Sequence, residues 1–249
     1  MTLQTTKRFL PAVATVIALL LAALAAPAAA APVRTAEVTV VHAFATVLRS
    51  DGGPTGPALD VSIDGTLVAA GLTFRGAVVL PEPLTAGTHL LQIALAGEGT
   101  PIQEHDIVVP RVASVDLAIG HNPSGGAGLP FGMVFSNDLR PTPPDRTSLV
   151  LRNVSDDVSV SLYLFAPRTP KQVTAVARGD EGAAVVLAGF TELRLLPTYC
   201  AADCSVLFQQ EFPSGTQTII YAAGRPGEDY DSSSFDGVTR QLLVGERGR

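Results

Sequence analysis

The sequence contains an internal repeat, and this repeat sets the size of the folding unit. The segment "TSLVLRNVSDDVSVSLYLF" at 147–165 resembles "AEVTVVHAF" at 36–44 followed by "LDVSIDG" at 59–65. Further along, "THLLQIAL" at 88–95 matches "TELRLLPT" at 191–198. A spacing of about a hundred residues is that of a β-sandwich domain, whereas solenoid repeats are several times shorter. We therefore expect two tandem copies of one domain.

Each copy is expected to be all-β. Short runs of alternating polar and apolar residues are separated by Gly, Pro, Asp and Asn, which is typical of a sandwich or barrel. We expect the first sandwich at 33–137, a proline-rich linker at 138–144, the second sandwich at 145–244 and a tail at 245–249. The three prolines of the linker predict a stiff, extended connection between the two copies.

The N-terminal residues have the three-part layout of a secretory signal peptide. Lys7 and Arg8 form a short basic region, the apolar run "VIALLLAAL" follows, and small residues close the segment in "APAAAAP". Cleavage after Ala30 would remove 1–30 as the signal peptide. An uncleaved membrane anchor is the alternative, although the leucine-rich core is short for a span. No later apolar run has spanning length, so we expect no membrane span in the mature chain.

Charge and cysteine content narrow the function further. The chain has 17 basic and 23 acidic residues, and a nucleic-acid partner would need basic surface, so we expect none. The two cysteines, Cys200 and Cys204, are expected to form a disulfide in an oxidising compartment. Zinc would need two further ligands, and a redox pair is usually C-x-x-C, so a structural disulfide is favoured.

His42 ends the stretch "EVTVVH", and the repeat aligns it with Asn153. Residues two apart in a strand share a face, so His42 follows Val38 and Val40 on the face expected to meet the core. Asparagine cannot act as a general base near neutral pH, but both side chains donate and accept hydrogen bonds. We therefore interpret His42 and Asn153 as structural polar residues at strand ends, which hold the loop that follows.

The dipeptide Asp64-Gly65 predicts a β-hairpin. It lies between the strand-like runs Leu59–Ile63 and Thr66–Leu72. Asp-Gly favours a two-residue turn in which both residues have positive φ. Asp64 and Gly65 are therefore interpreted as turn residues.

The pattern "VTVVHA…LDVSIDGTLVAAGLTF…LTAGTHLLQIALAGEGTPI" resembles a domain of unknown function found in secreted and surface proteins of bacteria. The shared elements are a V-x-V-x-H-A opening, a V-D-V-x-V-D-G hairpin and an A-G-x-H strand start. The resemblance covers 36–135, and the second copy follows it only loosely. The loop at 44–57 replaces the Ser-Pro-Asp turn of the family. The resemblance implies an immunoglobulin-like antiparallel β-sandwich and an extracytoplasmic location, and it implies no reaction.

Motifs for catalysis are missing from the sequence. There is no G-x-S-x-G nucleophile elbow, and the glycine-rich stretches lack the lysine of a phosphate loop. We therefore expect neither an enzyme nor a cofactor. The best candidate for a metal site is "GEDYDSSSFDG", in which Asp229, Asp231 and Asp236 offer the oxygen ligands that calcium favours. A solvated acidic loop is the alternative.

The sequence thus predicts an exported, non-enzymatic binding or structural module of the bacterial cell envelope or secreted space. Its expected partner is an envelope or extracellular component, bound by loops at the sandwich ends such as 44–57 and 122–130. The alternative is an extracytoplasmic hydrolase of unfamiliar type, which would need a concave site with convergent polar groups. In a third interpretation the second sandwich only caps or spaces the first.

Overall fold

The computed structural model describes residues 34–45, 47–48, 54–124, 128–157, 159–166, 169–197, 206–224 and 235–243. Every regular element among these residues is a β-strand. The strands are β1 (Thr35–His42), β2 (Val47–Leu48), β3 (Pro54–Thr55), β4 (Leu59–Ile63), β5 (Thr66–Leu72), β6 (Ala77–Val79), β7 (Leu84–Thr85), β8 (Gly87–Leu95), β9 (Pro101–Val109), β10 (Ser114–His121), β11 (Pro130–Ser136), β12 (Arg146–Asn153), β13 (Ser159–Ala166), β14 (Thr169–Ala177), β15 (Glu181–Leu187), β16 (Gly189–Pro197), β17 (Val206–Phe212), β18 (Thr216–Gly224) and β19 (Phe235–Leu243). The predicted signal peptide at 1–30 lies outside the described residues.

The strands form two sandwiches with the same strand order. In the first sandwich, an outer sheet has the order β5-β4-β8-β9 and an inner sheet the order β11-β10-β1-β6, with β7 also paired to β1. In the second, the outer sheet is β14-β13-β16-β17 and the inner sheet is β15-β12-β18-β19. The predicted fold, two tandem immunoglobulin-like β-sandwiches, is therefore confirmed. The domain boundaries at 33–137, 138–144 and 145–244 stay predictions.

One strand pair in each sandwich departs from the predicted antiparallel arrangement. β1 runs parallel to β10, with Val40 opposite Leu117, and β12 runs parallel to β18, with Leu151 opposite Ile220. The last strand of each copy then runs back antiparallel to this second strand of the pair. In the first copy β11 pairs with β10, and in the second β19 pairs with β18. The chain therefore enters and leaves each sandwich at the same end.

Each sandwich encloses its own core. The first core contains Val38 and Val40 from the inner sheet, packed against Val61 and Ile93 from the outer sheet, all of them buried. The second core is likewise built from apolar residues of an inner and an outer sheet. It contains the buried residues Leu149, Leu151, Val160, Leu162, Val176, Leu193, Leu195, Phe212, Ile220 and Ala222. These cores follow from the two-residue alternation of apolar side chains along the strands.

The structure corrects one part of the repeat alignment. Matching 88–95 with 191–198 would pair the buried Leu91 with Arg194, which is only half-buried. The fully buried residues of β16 are instead Leu193 and Leu195. A slip of one residue moves every side chain of a strand to the opposite face, so the alignment of this strand was wrong by an odd number of positions.

A third core joins the two inner sheets face to face. It contains Val41, Ala43, Ala118, Met133 and Phe135 from the first sandwich, and Val150, Val154, Ile219, Tyr221 and Ala223 from the second. Because both of their faces are covered, β10 and β18 are buried along their whole length. The four sheets therefore stack in the order outer, inner, inner, outer.

The connection between the sandwiches turns back on itself. The backbone N–H of Arg146 donates to the carbonyl of Pro143 over 2.9 Å, which closes a turn immediately before β12. Asp138 and Arg140 form a surface ion pair at 2.6 Å. The linker was expected to be extended, but its end is a turn that places β12 against the first sandwich.

Candidate functional site

His42 ends β1 and is fully buried. Its Nε2 lies 2.8 Å from the carbonyl oxygen of Pro57, and the backbone N–H of Phe44 donates to its Nδ1 over 3.2 Å. A carbonyl oxygen only accepts, so Nε2 carries the proton, Nδ1 is bare and the ring is neutral. Burial lowers the pKa of His42 despite the opposing effect of the Pro57 hydrogen bond. Both nitrogens are thus engaged in holding the two ends of the loop at 44–57.

The base of this loop is closed by two further contacts. The Nε2 of His121 lies 2.9 Å from the carbonyl oxygen of Ala45 and donates to it. A Cβ atom on Gly56 would lie 2.1 Å from the carbonyl oxygen of Phe44, so only glycine fits here. The loop proposed for recognition at 44–57 therefore has a fixed base, while 49–53 lies outside the described residues.

Asn153 occupies the corresponding position at the end of β12 and is also fully buried. Its Nδ2 donates to the carbonyls of Asp157 and Val176 over 3.1 and 3.3 Å. Its Oδ1 accepts from the backbone N–H and the hydroxyl of Ser155 over 3.2 and 2.6 Å. His42 and Asn153 each hold the segment that follows their strand. That neither of them acts in catalysis stays a prediction.

Asp64 and Gly65 form the turn between β4 and β5, with φ of 50° and 76°. The carboxylate of Asp64 has a second role that sequence reasoning missed. Its Oδ1 accepts from the backbone N–H of Leu90 over 2.9 Å, and its Oδ2 lies 2.7 Å from the Nδ1 of His89. The signal for this contact was present, because the hairpin and A-G-x-H elements of the family pattern supply these two side chains. The fold brings Asp64 and His89 together although they are 25 residues apart in the sequence.

Asp60 holds the end of β5 and the loop after β8 in the same outer sheet. Its Oδ1 accepts from the backbone N–H of Gly71 over 2.7 Å, and its Oδ2 accepts from that of Gly97 over 2.9 Å. These two hydrogen bonds lower the pKa of Asp60. Both aspartates of the V-D-V-x-V-D-G element are thus acceptors for backbone groups.

A buried ion pair connects the two sandwiches. The Nη1 of Arg152, from the second sandwich, lies 2.7 Å from Oδ2 of Asp116, from the first. The Nη2 of Arg152 donates to Asn137 over 2.9 Å, and its Nε donates to Glu181 over 3.0 Å. Tyr221 donates its hydroxyl hydrogen to Asp116. Asp116 and Arg152 are 0% and 1% exposed, so the charge of Asp116 depends on Arg152 for its compensation, while Arg152 also has Glu181.

The guanidinium of Arg152 also lies over aromatic rings. It is 4.9 Å from the ring centroid of Phe135 and 5.6 Å from that of Tyr221, both within the range of a cation–π contact. Burial disfavours its charge, but Tyr221, Asp116 and Glu181 outweigh that effect and raise the pKa of Arg152. No sequence motif predicted this cluster, because its members come from both copies.

The predicted loop at 122–130 begins at the junction of the sandwiches. The backbone N–H of His121 donates to the carbonyl of Val154 over 2.8 Å. A Cβ atom on Gly179 would lie 2.9 Å from Pro123. The first residues of this loop therefore face the second sandwich, which limits their access to an external partner.

Two predicted sites fall on residues that the structure does not describe. Cys200 and Cys204 lie outside the described ranges, as do Asp229 and Asp231. Asp236 lies in β19 opposite Ala223, and only its backbone is described. The disulfide and the calcium loop stay predictions. In the described part of the chain, no group of three or more His, Cys, Asp or Glu is placed to hold a metal. The same part contains no helix with the length and apolar character to cross a membrane.

Comparisons with known proteins give no family. No family model and no curated protein matches the sequence. Similar solved structures include the Bacillus anthracis TIE protein, with a TM-score of 0.24, 9% identity and coverage of 77% of this chain and 34% of that chain. This chain therefore spans about a third of that protein.

Two further solved structures match most of their own length. CBMbc of family CBM26, from Eubacterium rectale Amy13K in complex with maltoheptaose, has a TM-score of 0.25, 9% identity and coverage of 85% and 98% of the two chains. A candidate cell adhesion protein from Bacteroides fragilis has a TM-score of 0.23, 9% identity and coverage of 86% and 100%. At these scores the similarities carry no argument about this chain.

Proposed function

We propose that the chain is an exported, non-enzymatic binding or structural module of the cell envelope or secreted space. The observation that carries this proposal is the use of its histidines: each of the four has a ring nitrogen against a backbone carbonyl. Histidine is the commonest general acid or base in enzymes. Here the imidazoles fasten loops and strands, which favours a scaffold over a catalyst.

The buried ion pair supports the same proposal. Asp116 and Arg152 are both buried, and they bind each other between the inner sheets. Charged groups at this depth fix the arrangement of the two sandwiches and are closed to a substrate. The N-terminal signal-like segment and the family resemblance support an extracytoplasmic location.

A retention experiment tests the proposal. The chain from residue 31 to 249 is immobilised and incubated with cell-envelope fractions and a panel of glycans, in the presence of calcium or of a chelator. We expect saturable retention of one fraction or glycan class, with the ligand recovered chemically unchanged. Recovery of cleaved ligand, identified by its mass, would overturn the proposal in favour of the hydrolase.

A matched variant tests the calcium loop within the same experiment. Substituting Asp229→Asn, Asp231→Asn and Asp236→Asn together removes the carboxylates and leaves the side-chain size nearly unchanged. If the loop holds calcium, this variant should lose the retention that the chelator removes. Retention that survives both treatments would assign recognition elsewhere and leave the acidic loop as solvated surface. Failure of every fraction and glycan to bind would argue against a binding module and leave the structural role.

A further inference from the structure

His89 lies near the start of β8 and is largely enclosed, with 8% of its surface exposed. Its two ring nitrogens point at two different oxygens. Nδ1 lies 2.7 Å from Oδ2 of Asp64, and Nε2 lies 2.8 Å from the carbonyl oxygen of Thr85. Both distances are short enough for strong hydrogen bonds.

The nature of these oxygens fixes the protonation state of the ring. A backbone carbonyl has no hydrogen to donate, and an ionised carboxylate has none either. A neutral imidazole has one N–H, so it could satisfy only one of the two contacts. A proton shared between the groups belongs on the imidazole, because an ordinary aspartate is a much stronger acid than an imidazolium. The geometry therefore requires both ring nitrogens to be protonated.

The two contacts connect the two sheets of the first sandwich. Asp64 belongs to the turn between β4 and β5 in the outer sheet, and its Oδ1 also accepts from the backbone of Leu90. Thr85 belongs to β7, which pairs with β1, so that Thr85 lies opposite Thr35. A charged His89 thus joins the outer sheet to the beginning of the inner-sheet strand β1.

We infer that His89 is an imidazolium clamp between the Asp64–Gly65 turn and β7, and that loss of its proton as pH rises opens the clamp. A neutral ring must give up either the carboxylate or the carbonyl. The start of β1 then loses one of its links to the outer sheet, while the core beneath it stays packed.

The surroundings of His89 leave Asp64 as the charge that controls the clamp. From β7 the imidazole meets the carbonyl of Thr85, and on β9 its strand partner is the apolar Ile107. Burial acts to lower the pKa of His89, but the hydrogen bonds and charge of Asp64 and the bond to Thr85 outweigh it and raise that pKa. The hydrogen bonds from His89 and Leu90 lower the pKa of Asp64.

The direction of each pKa shift sets the pH range of the clamp. Because the folded pKa of His89 is raised, its stabilisation is complete below the unfolded value of 6.5 and is lost as pH rises through the folded pKa. Because the folded pKa of Asp64 is lowered, its stabilisation is present above 3.8 and is lost as pH falls through the folded pKa. The clamp is therefore closed between pH 3.8 and 6.5, and it opens as pH rises from 6.5 through the folded pKa of His89.

Histidine NMR of the chain from residue 31 to 249 tests the inference directly. Long-range proton–nitrogen correlation spectra distinguish protonated from bare ring nitrogens. At pH 6 we expect His89 to show two protonated nitrogens, and at pH 7 His42 should show one protonated and one bare. The titration midpoint of His89 should lie above 6.5, whereas that of His42 should lie below it.

Two variants separate the clamp from general loop stability. In Asp64→Asn the amide carries no charge, so the His89 titration should move to lower pH. Asp60→Asn is the matched control, because Asp60 lies in β4, the strand that leads into the Asp64 turn, and accepts two backbone hydrogen bonds without a histidine. This control should leave the His89 titration where it is in the parent chain. A neutral His89 at pH 6 in the parent chain, or equal titrations in parent and Asp64→Asn, would overturn the inference.

Discussion

The two sandwiches have the same strand order but hold their loops with different chemistry. In the first, His42 and His89 fasten loops with imidazole nitrogens, and Asp60 and Asp64 accept backbone hydrogen bonds. The second contains no histidine, and Asn153 takes the position of His42. An amide side chain does not titrate in water, whereas imidazole and carboxylate do. The comparison teaches that the same strand-end position can be filled by a side chain that senses pH, as in His42, or by one that does not, as in Asn153.

The sandwiches also differ in what they bring to their common interface. The first supplies a buried carboxylate, Asp116, and the second supplies the guanidinium of Arg152. In an isolated first sandwich Asp116 would lose its cation, whereas Arg152 would keep Glu181 from its own sandwich. The two copies have therefore become complementary where they meet, although each retains its own core.

The largest effect is expected for Arg152→Met, which removes one side of this complementarity. The variant keeps an unbranched side chain but leaves Asp116 buried without its cation. We expect a loss of about 3–5 kcal/mol in the free energy of unfolding, measured with denaturant at pH 7. The control is Arg146→Met, in the same strand, because Arg146 makes only an exposed pair with Asp145 at 3.4 Å. It should change stability by less than about 0.5 kcal/mol. Equal effects of the two variants would mean that the buried pair does not join the sandwiches.

The second-largest effect is expected for Gly120→Ala. At this position the first sandwich needs glycine, whereas the second sandwich has alanine. A Cβ atom on Gly120 would lie 2.4 Å from the carbonyl oxygen and 2.5 Å from the Cβ of Val154. Gly120→Ala should therefore force the inner sheets apart and cost about 1–3 kcal/mol of unfolding free energy.

The matched variant for Gly120→Ala is Ala223→Gly, since residue 223 occupies the same position in β18 as residue 120 in β10. It should cost less, about 0.5–1 kcal/mol, because it adds backbone freedom without a clash. If both variants cost the same, the close approach at Gly120 does not limit the packing of the inner sheets.

A smaller effect is expected from exchanging the two strand-end residues. The pKa of His42 is lowered by burial, so the unfolded chain takes up a proton at a higher pH than the folded chain. Stability from this residue is therefore complete above 6.5 and falls as pH drops from there towards the folded pKa. His42→Asn should remove this part of the pH dependence, as measured by unfolding free energies at pH 7 and pH 5.

The reverse exchange is the counterpart of His42→Asn. Asn153→His should introduce a loss of stability on acidification that the second sandwich lacks in the parent chain. Unchanged acid sensitivity in both variants would show that the identity of the strand-end residue does not cause the difference between the sandwiches.

The smallest effect is expected in the linker. Asp138 and Arg140 lie 2.6 Å apart, but their side chains are 48% and 87% exposed. Solvent screens such a pair, so Asp138→Ala should change the unfolding free energy by no more than about 0.5–1 kcal/mol. A larger loss would show that the linker, rather than the third core, fixes the two sandwiches.

Features that follow from local pattern were open to prediction. The alternation in Leu59–Ile63 and Thr66–Leu72 predicted β4 and β5 with the bounds that the structure has. The Asp64-Gly65 pair predicted positive φ at both positions, as observed. Such features depend on residues that are neighbours in the sequence, so a local pattern is enough to predict them.

Features that depend on distant residues were not predicted. The linker was expected to be extended, and the burial of β10 and β18 on both faces by a core drawn from both copies was not predicted. The runs "LAIG" and "IIYAAG" are apolar or small on both faces, which was a usable signal for this burial. The contacts of Asp116 with Arg152 and of Asp64 with His89 join residues far apart in the chain, and their partners could not be assigned without the strand register.

The parallel pairing of β1 with β10 and of β12 with β18 has a consequence for what a second copy adds. When tandem domains are joined end to end, each added copy makes the molecule longer. Here the chain enters and leaves each copy at the same end, and the two sandwiches pack against each other through their inner sheets. The second copy therefore lies beside the first, and the duplication covers an inner sheet of each copy that would otherwise be exposed.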